Sequence, residues 1–367
     1  MSAKNLRDSI LQMAVEGKLV EQRKEEGTAE DLLASIREQR AQLVREKKAK
    51  PVKGGESVIW RDEDGHWVER RGKGEAVCID EEIPFDIPDS WCWARMNALG
   101  DIVGGGTPKT NISEYWTVSD KGIPWITPAD MRMMPSINID GGARYISEEG
   151  LVHSSAQLMP AGSVIMSSRA PIGYLGIASR PLSTNQGFKS VVPAKEGMSR
   201  WLVVSLEALM PSIQKRASGT TFKEISGYEF GKTIVPIPPF VEQGRIVAKI
   251  DELMPLVDEY GKAQERRERL DRELPVKLRK SILQAAVEGK LTERSDDDEP
   301  ASVLLASIRE KRAQLVREGK AKSVKGGESI IYRDDAGHWF ERRGKSAPSA
   351  STKKSPSTSP IPGAGRG

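Results

Sequence analysis

Four short stretches carry the side chains best suited to chemistry, and that chemistry is contact with a polyanion. They are Gly106-Thr107-Pro108-Lys109-Thr110, Ser167-Ser168-Arg169, Thr184-Asn185-Gln186-Gly187-Phe188-Lys189 and Ser218-Gly219-Thr220-Thr221-Phe222-Lys223. Small hydroxyls and backbone amides bond phosphate oxygens, while Arg, Lys, Asn and Gln offer donors to base edges in a major groove. The candidate contacts to double-stranded DNA are therefore Thr107, Lys109, Thr110, Arg169, Asn185, Gln186, Lys189, Thr220, Thr221 and Lys223. Any one stretch reads equally well as a capped turn. Four within one region point to nucleic acid.

Catalytic chemistry is not legible. Gly104-Gly105-Gly106-Thr107-Pro108-Lys109-Thr110 has the glycines of a phosphate loop, but Pro108 stands where a glycine must precede the lysine. In Ile237-Pro238-Pro239-Phe240 an isoleucine occupies the place where an amino-methyltransferase loop needs Asp or Asn to accept from the target amine. The pairs Glu81-Glu82 and Glu148-Glu149 read as surface carboxylates. His66 and its repeat His338 each precede a tryptophan in strand-like sequence and receive no catalytic role. Cys78 and Cys92, with three histidines, make neither a disulfide framework nor a zinc pattern. No catalytic residue, metal site or cofactor is expected.

The elements that must position the four stretches form an α+β chain. Residues 4–19 read as a short amphipathic helix with Leu6, Ile10, Met13 and Ala14 on one stripe and Gly17 at its end. Thr28 with Asp31 caps a second helix, whose stripe is Leu32, Leu33, Ile36 and Leu43. Residues 57–71 alternate as a hairpin around Asp64-Gly65. From Ile83 to Phe240 short β-rich runs, loops and one helix near Trp201–Ser212 predict a mixed α/β domain. Beyond it Ile246, Ile250, Leu253, Val257 and Tyr260 are spaced 4, 3, 4, 3, the seam of a coiled-coil spacer helix. Pro255 and Pro275 are expected to kink or break that helix. From Ser346 the chain is rich in Ser, Pro, Lys and Gly and reads as disordered.

One segment occurs twice. Residues 6–73 return at 278–345 with a constant offset of 272, and 48 of the 68 paired positions are identical. That period is far longer than the roughly 20–50 residues of a solenoid unit. The expected layout is a repeat module (1–80), a recognition domain (81–240), a spacer helix (241–291), a second module (278–345) and a tail (346–367).

The 367 residues suffice for about two domains. Residues 1–80 hold 16 basic and 16 acidic side chains, and residues 81–240 hold 14 and 15. The net charge of +4 is therefore not a basic block, and any nucleic-acid face must be sorted by the fold. No apolar run approaches the ~18 residues of a membrane span, and the N-terminus lacks a secretory apolar segment. A reducing cytoplasm fits.

Together these motifs resemble the specificity (S) subunits of type I restriction-modification systems. The likeness rests on Ser-Ile-Leu-Gln-x-Ala-Val-Glu-Gly-Lys-Leu at Ser9–Leu19 and Ser281–Leu291, Ile87-Pro88-Asp89-Ser90-Trp91-Cys92-Trp93, Gly104–Pro108 and Ile237-Pro238-Pro239-Phe240-Val241-Glu242-Gln243. It extends to about residue 345. The resemblance implies a non-catalytic subunit that reads half of a bipartite DNA site. It also implies partner modification (methyltransferase) subunits and a restriction (endonuclease and translocase) subunit. The family usually has two recognition domains, and this chain has one. A homodimer of half-subunits, the recognition end of a fused methyltransferase-nuclease and a decoy that binds modification subunits without reading DNA are the alternatives this leaves.

Overall fold

A computed structural model describes residues 2–47, 49, 51–52, 54–118, 121–134, 136–219, 223–293, 295 and 297–350. Two compact units emerge, Met1–Leu274 and Pro275–Gly367.

The first unit opens with α1 (Ala3–Val15) and α2 (Ala29–Arg45). The Ser2 hydroxyl accepts from Asn5 N–H and the Thr28 hydroxyl from Asp31 N–H, so each helix start is satisfied by its cap. The buried stripe of α1 is Ile10, Leu11, Ala14 and Val15. Met13, expected inside, is exposed, because the stripe centres one position further round the helix. Gly17 follows at φ +69, the left-handed conformation that ends a helix. A Cβ there would strike the Pro88 ring, so glycine also lets the chain close on that ring. The hairpin is β1 (Ser57–Arg61) and β2 (Trp67–Arg71), in register Ser57 to Arg71, and β3 (Val77–Cys78) extends it.

Next come β4 (Cys92–Arg95), α3 (Met96–Leu99) and β5 (Gly100–Gly104). Then follow β6 (Trp116–Thr117), β7 (Ile123–Ile126), α4 (Pro128–Met133), β8 (Asn138–Ile139), β9 (Arg144–Ile146) and α5 (Glu148–Val152). β10 (Val164–Ser168), β11 (Ile172–Ala178), β12 (Ser183–Thr184) and β13 (Phe188–Pro193) complete two sheets. Their orders are β5-β13-β10-β11-β8 and β12-β7-β9-β6. β10 lies within the five-stranded sheet and is buried along its length. Val164 and Met166 face one core, and Ile165 between them faces a second core with Ile126 and Phe188. This is the period-two alternation of a strand covered on both faces.

The chain returns through α6 (Ser199–Lys215), α7 (Gly227–Gly231) and β14 (Ile234–Ile237), which pairs antiparallel with β4. Ile237 is buried in that pair, so the Pro-Pro-Phe segment is structural here. α8 (Phe240–Val287) then runs for 48 residues without interruption. Pro255 and Pro275 neither break nor end it: each removes one donor, and the flanking turns carry the helix through. The expected seam lies mostly indoors. Ile246, Ile250 and Val257 are buried in the same core as Trp91 and Trp201, Leu253 packs against it, and only Tyr260 is exposed.

One polar knot ties the first module to the following domain. The buried Glu69 carboxylate accepts from Arg95 (2.7 Å), Ser57 (2.6 Å) and Arg71 (2.9 Å). Arg95 also donates to Glu82 (2.7 Å) and to the Lys232 carbonyl (2.8 Å). Burial pushes the Glu69 carboxyl up, but the three donors outweigh it and hold the group down at about 2.

The second unit contains α9 (Ala301–Arg317), β15 (Ser329–Arg333), β16 (Trp339–Arg343) and β17 (Ser349–Ala350). Its hairpin repeats the first register, Ser329 to Arg343. Ser349 and Ala350, assigned to the disordered tail from sequence, instead pair with Glu341 and Phe340. The remaining tail, from residue 351, lies outside the described residues.

Candidate nucleic-acid interface

The fold brings the four polar stretches together by backbone bonds. Gly106 N–H donates to the Thr184 carbonyl (2.9 Å), and the Thr107 hydroxyl bonds the Gln186 side chain. A Cβ on Gly105 would collide with the Asn185 carbonyl, so glycine is what lets these two loops touch. Ser168 N–H donates to the Gly187 carbonyl (2.7 Å), which seats Arg169 beside the 185–187 turn. Ile225 N–H in turn donates to the Ser168 carbonyl (3.1 Å) and draws in the fourth stretch.

Within this patch the predicted residues differ in freedom. Thr107, Lys109, Thr110, Gln186 and Lys223 are exposed. Asn185 spends its side-chain carbonyl on Gly187 N–H (2.9 Å), a turn-forming bond, and is half-buried. Lys189 is largely buried and paired with Glu224 (3.0 Å), which also lies 3.8 Å from Arg169. Thr220 and Thr221 lie outside the described residues.

Two important residues were not picked out from the sequence. Glu224 is one, since it neutralises one charge shared by Arg169 and Lys189. Arg144 is the other. Its guanidinium lies over two indoles, 4.5 Å from the Trp125 centroid and 5.0 Å from that of Trp116. The same indoles donate to the 104–110 loop, Trp125 to the Gly106 carbonyl (2.8 Å) and Trp116 to the Lys109 carbonyl (3.2 Å). Arg144 is thus a stacked cation, a geometry that suits phosphate and nucleic-acid recognition. It is exposed and forms no ion pair with a described residue. Neither residue had a local signal. Arg144 meets Trp125 only because β9 pairs with β7, residue against residue.

His66, Cys78 and Asp80 form the one group of metal-capable side chains among the described residues. All three are exposed, and His66 Nδ1 lies 2.6 Å from Asp80, an ion pair that raises the imidazole and lowers the carboxyl. The second module has Ala350 in the place of Cys78. No described helix is long and apolar enough to cross a membrane.

This patch, its sheets and the start of α8 fall within a known family region. Residues 88–260 match the type I restriction modification DNA specificity domain. The chain carries that domain and is kin to the specificity subunits of type I restriction enzymes, as the sequence motifs implied. The MjaIX specificity subunit of Methanocaldococcus jannaschii is 34% identical over 51% of this chain and 43% of its own length. The EcoAI specificity subunit of Escherichia coli is 26% identical over 88% of this chain and 58% of its own length. The solved HsdS subunit from Thermoanaerobacter tengcongensis is 27% identical, with a TM-score of 0.40 over 57% of this chain and 49% of that one. The chain therefore spans about half the length of the curated relatives it matches.

Proposed function

We propose that the chain is a non-catalytic specificity subunit that reads one half of a bipartite double-stranded DNA site. The observation that carries this is the convergence of four separated polar stretches, with the stacked Arg144, on one patch of the specificity domain. Lys109, Arg144 and Lys223 supply cations with no acidic partner among the described residues. They contact phosphates. Thr107, Thr110, Gln186, Asn185 and the Glu224-held Arg169 and Lys189 line the base-facing side, with Thr220 and Thr221 beside them.

In this reading residues 1–80 and 278–345 are modules that meet partner subunits, 81–240 is the recognition domain, and 241–291 is a spacer. The partners are the modification subunits and the restriction subunit of the same system, which the kinship supports as a class. Two copies of the chain pair to present two half-sites about a two-fold axis. The seam for that pairing is not the inward face of α8 but its outer one, where Leu256, Leu270 and Leu274 are exposed at heptad-compatible spacing. Intracellular action on DNA places the protein in the cytoplasm.

The test is adenine-methylation mapping in cells that hold this chain with its modification subunit and no other specificity subunit. A methylated inverted repeat with a fixed spacer is expected. A motif with two unlike halves would assign the second half to another chain, and no methylation with the protein present would overturn the reading in favour of a decoy.

A further inference from the structure

The second repeat module keeps the first module's docking face, and that face is bare. Within the first copy, residues 6–73, twelve described side chains are buried. Eleven of the twelve recur unchanged 272 positions on, and only Val68 differs, becoming Phe340. At the other 56 positions 37 recur. What buries these side chains in the first copy is not only their own module. Arg7 reaches Glu207 on α6 (2.9 Å), Arg40 reaches Asp101 (3.1 Å), and Glu69 takes Arg95 (2.7 Å). The covering surface is thus the specificity domain, with β4 and its Trp91-Cys92-Trp93-Ala94-Arg95 stretch at its centre.

The second copy folds alike and lacks that cover. Ser329 donates to Glu341 (2.6 Å) and Arg343 donates to it (2.7 Å), as Ser57 and Arg71 do to Glu69, but no described arginine takes the place of Arg95. The matching apolar side chains lie open: Leu283 is 58% exposed, Leu304 56% and Ile308 52%. Apolar faces of this size on soluble proteins mark interaction sites.

We propose that the second module is a plug for a second recognition domain of the same build, carried on another polypeptide. Its opening strand would present two tryptophans and an arginine, as residues 91–95 do here, with the arginine bonding Glu341. The argument is one of shape and charge: identical buried side chains make a face that fits the same socket. The socket at residues 91–95 is already filled by the first module. Exchange between two copies of this chain gains nothing, since a socket that takes a second module must release a first. The occupant is therefore a recognition domain whose socket is open. This extends the reading above from one recognition domain to two, and its test uses no DNA, so either can fail alone.

The probe is a tagged full-length chain whose socket is opened by Ala14→Asp, at a fully buried side chain. It should retain at least tenfold more untagged wild-type chain than a tagged wild-type chain does. The gain should vanish when the untagged chain carries Ala286→Asp, the matching change at an exposed position of the second copy. A charge swap guards against loss of fold in the probe. Glu207→Arg in the probe repels its own Arg7, and Arg279→Glu in the untagged chain restores attraction only through the second module. The swapped pair should be retained above either single change. Equal retention with and without Ala286→Asp would mean the chains meet elsewhere. That result, or no gain in the charge swap, overturns the proposal.

Discussion

At the scale of single residues, charge sharing decides which cations can reach DNA. Glu224 holds Lys189 at 3.0 Å and Arg169 at 3.8 Å, so it subtracts one charge from the patch. Glu224→Gln should tighten DNA binding and steepen its salt dependence by about one phosphate contact, a slope change near −0.9. Arg144→Ala should do the reverse, weakening binding to all sequences and reducing the slope by about 1. Fluorescence anisotropy at several salt concentrations separates them, and equal slopes for both variants would exclude these roles. The Glu69 knot gives a pH prediction. Its carboxyl, ordinarily at 4.5, is held at about 2 in the folded chain. A depressed carboxyl stabilises above its unfolded value, and the gain fades as pH falls from 4.5 towards 2. The full gain is on the order of 3 kcal/mol. Urea unfolding at pH 5 and pH 3 should show wild type losing much of this, while Glu69→Gln, less stable at pH 5, loses less.

At the scale of elements, α8 has two faces with different duties. Ile250 is 5% exposed and shares a core with Trp91 and Trp201. Ile250→Ala should cost about 2–4 kcal/mol, measured by urea denaturation. Leu270→Glu with Leu274→Glu alters exposed positions and should leave unfolding within about 0.5 kcal/mol of wild type while abolishing self-association by sedimentation. The 4, 3 spacing from Ile246 announced an apolar stripe but could not say whether a partner chain or the chain's own domain would cover it. Periodicity reports a buried face, never its neighbour. The same limit explains Met13: a stripe one position round the helix has nearly the same periodicity. Caps were legible because they are local, as at Thr28 with Asp31. Arg144 was not, because its two tryptophans are 28 and 19 residues away in sequence and meet it only through strand pairing.

At the scale of the whole molecule, a chain with a net charge of only +4 must bind DNA through sorting of charge, not excess of it. Lys109, Arg144 and Lys223 stand unpaired, and Arg169 with Lys189 contributes one further charge beyond Glu224. Four neutralised phosphates give a slope of log affinity against log salt of about −3.6 on duplex DNA. A pair of chains reading two half-sites engages twice as many, so its slope is about −7. Titrating an inverted-repeat duplex between about 50 and 200 mM salt distinguishes these states. The steep slope should appear only above the concentration at which the chain self-associates, and the Leu270→Glu, Leu274→Glu variant should keep the shallow one throughout. A steep slope in that variant would mean that one chain covers more phosphate than its patch can account for. The second module's basic side chains would then be the next to examine, since residues 278–345 lie outside the matched specificity domain.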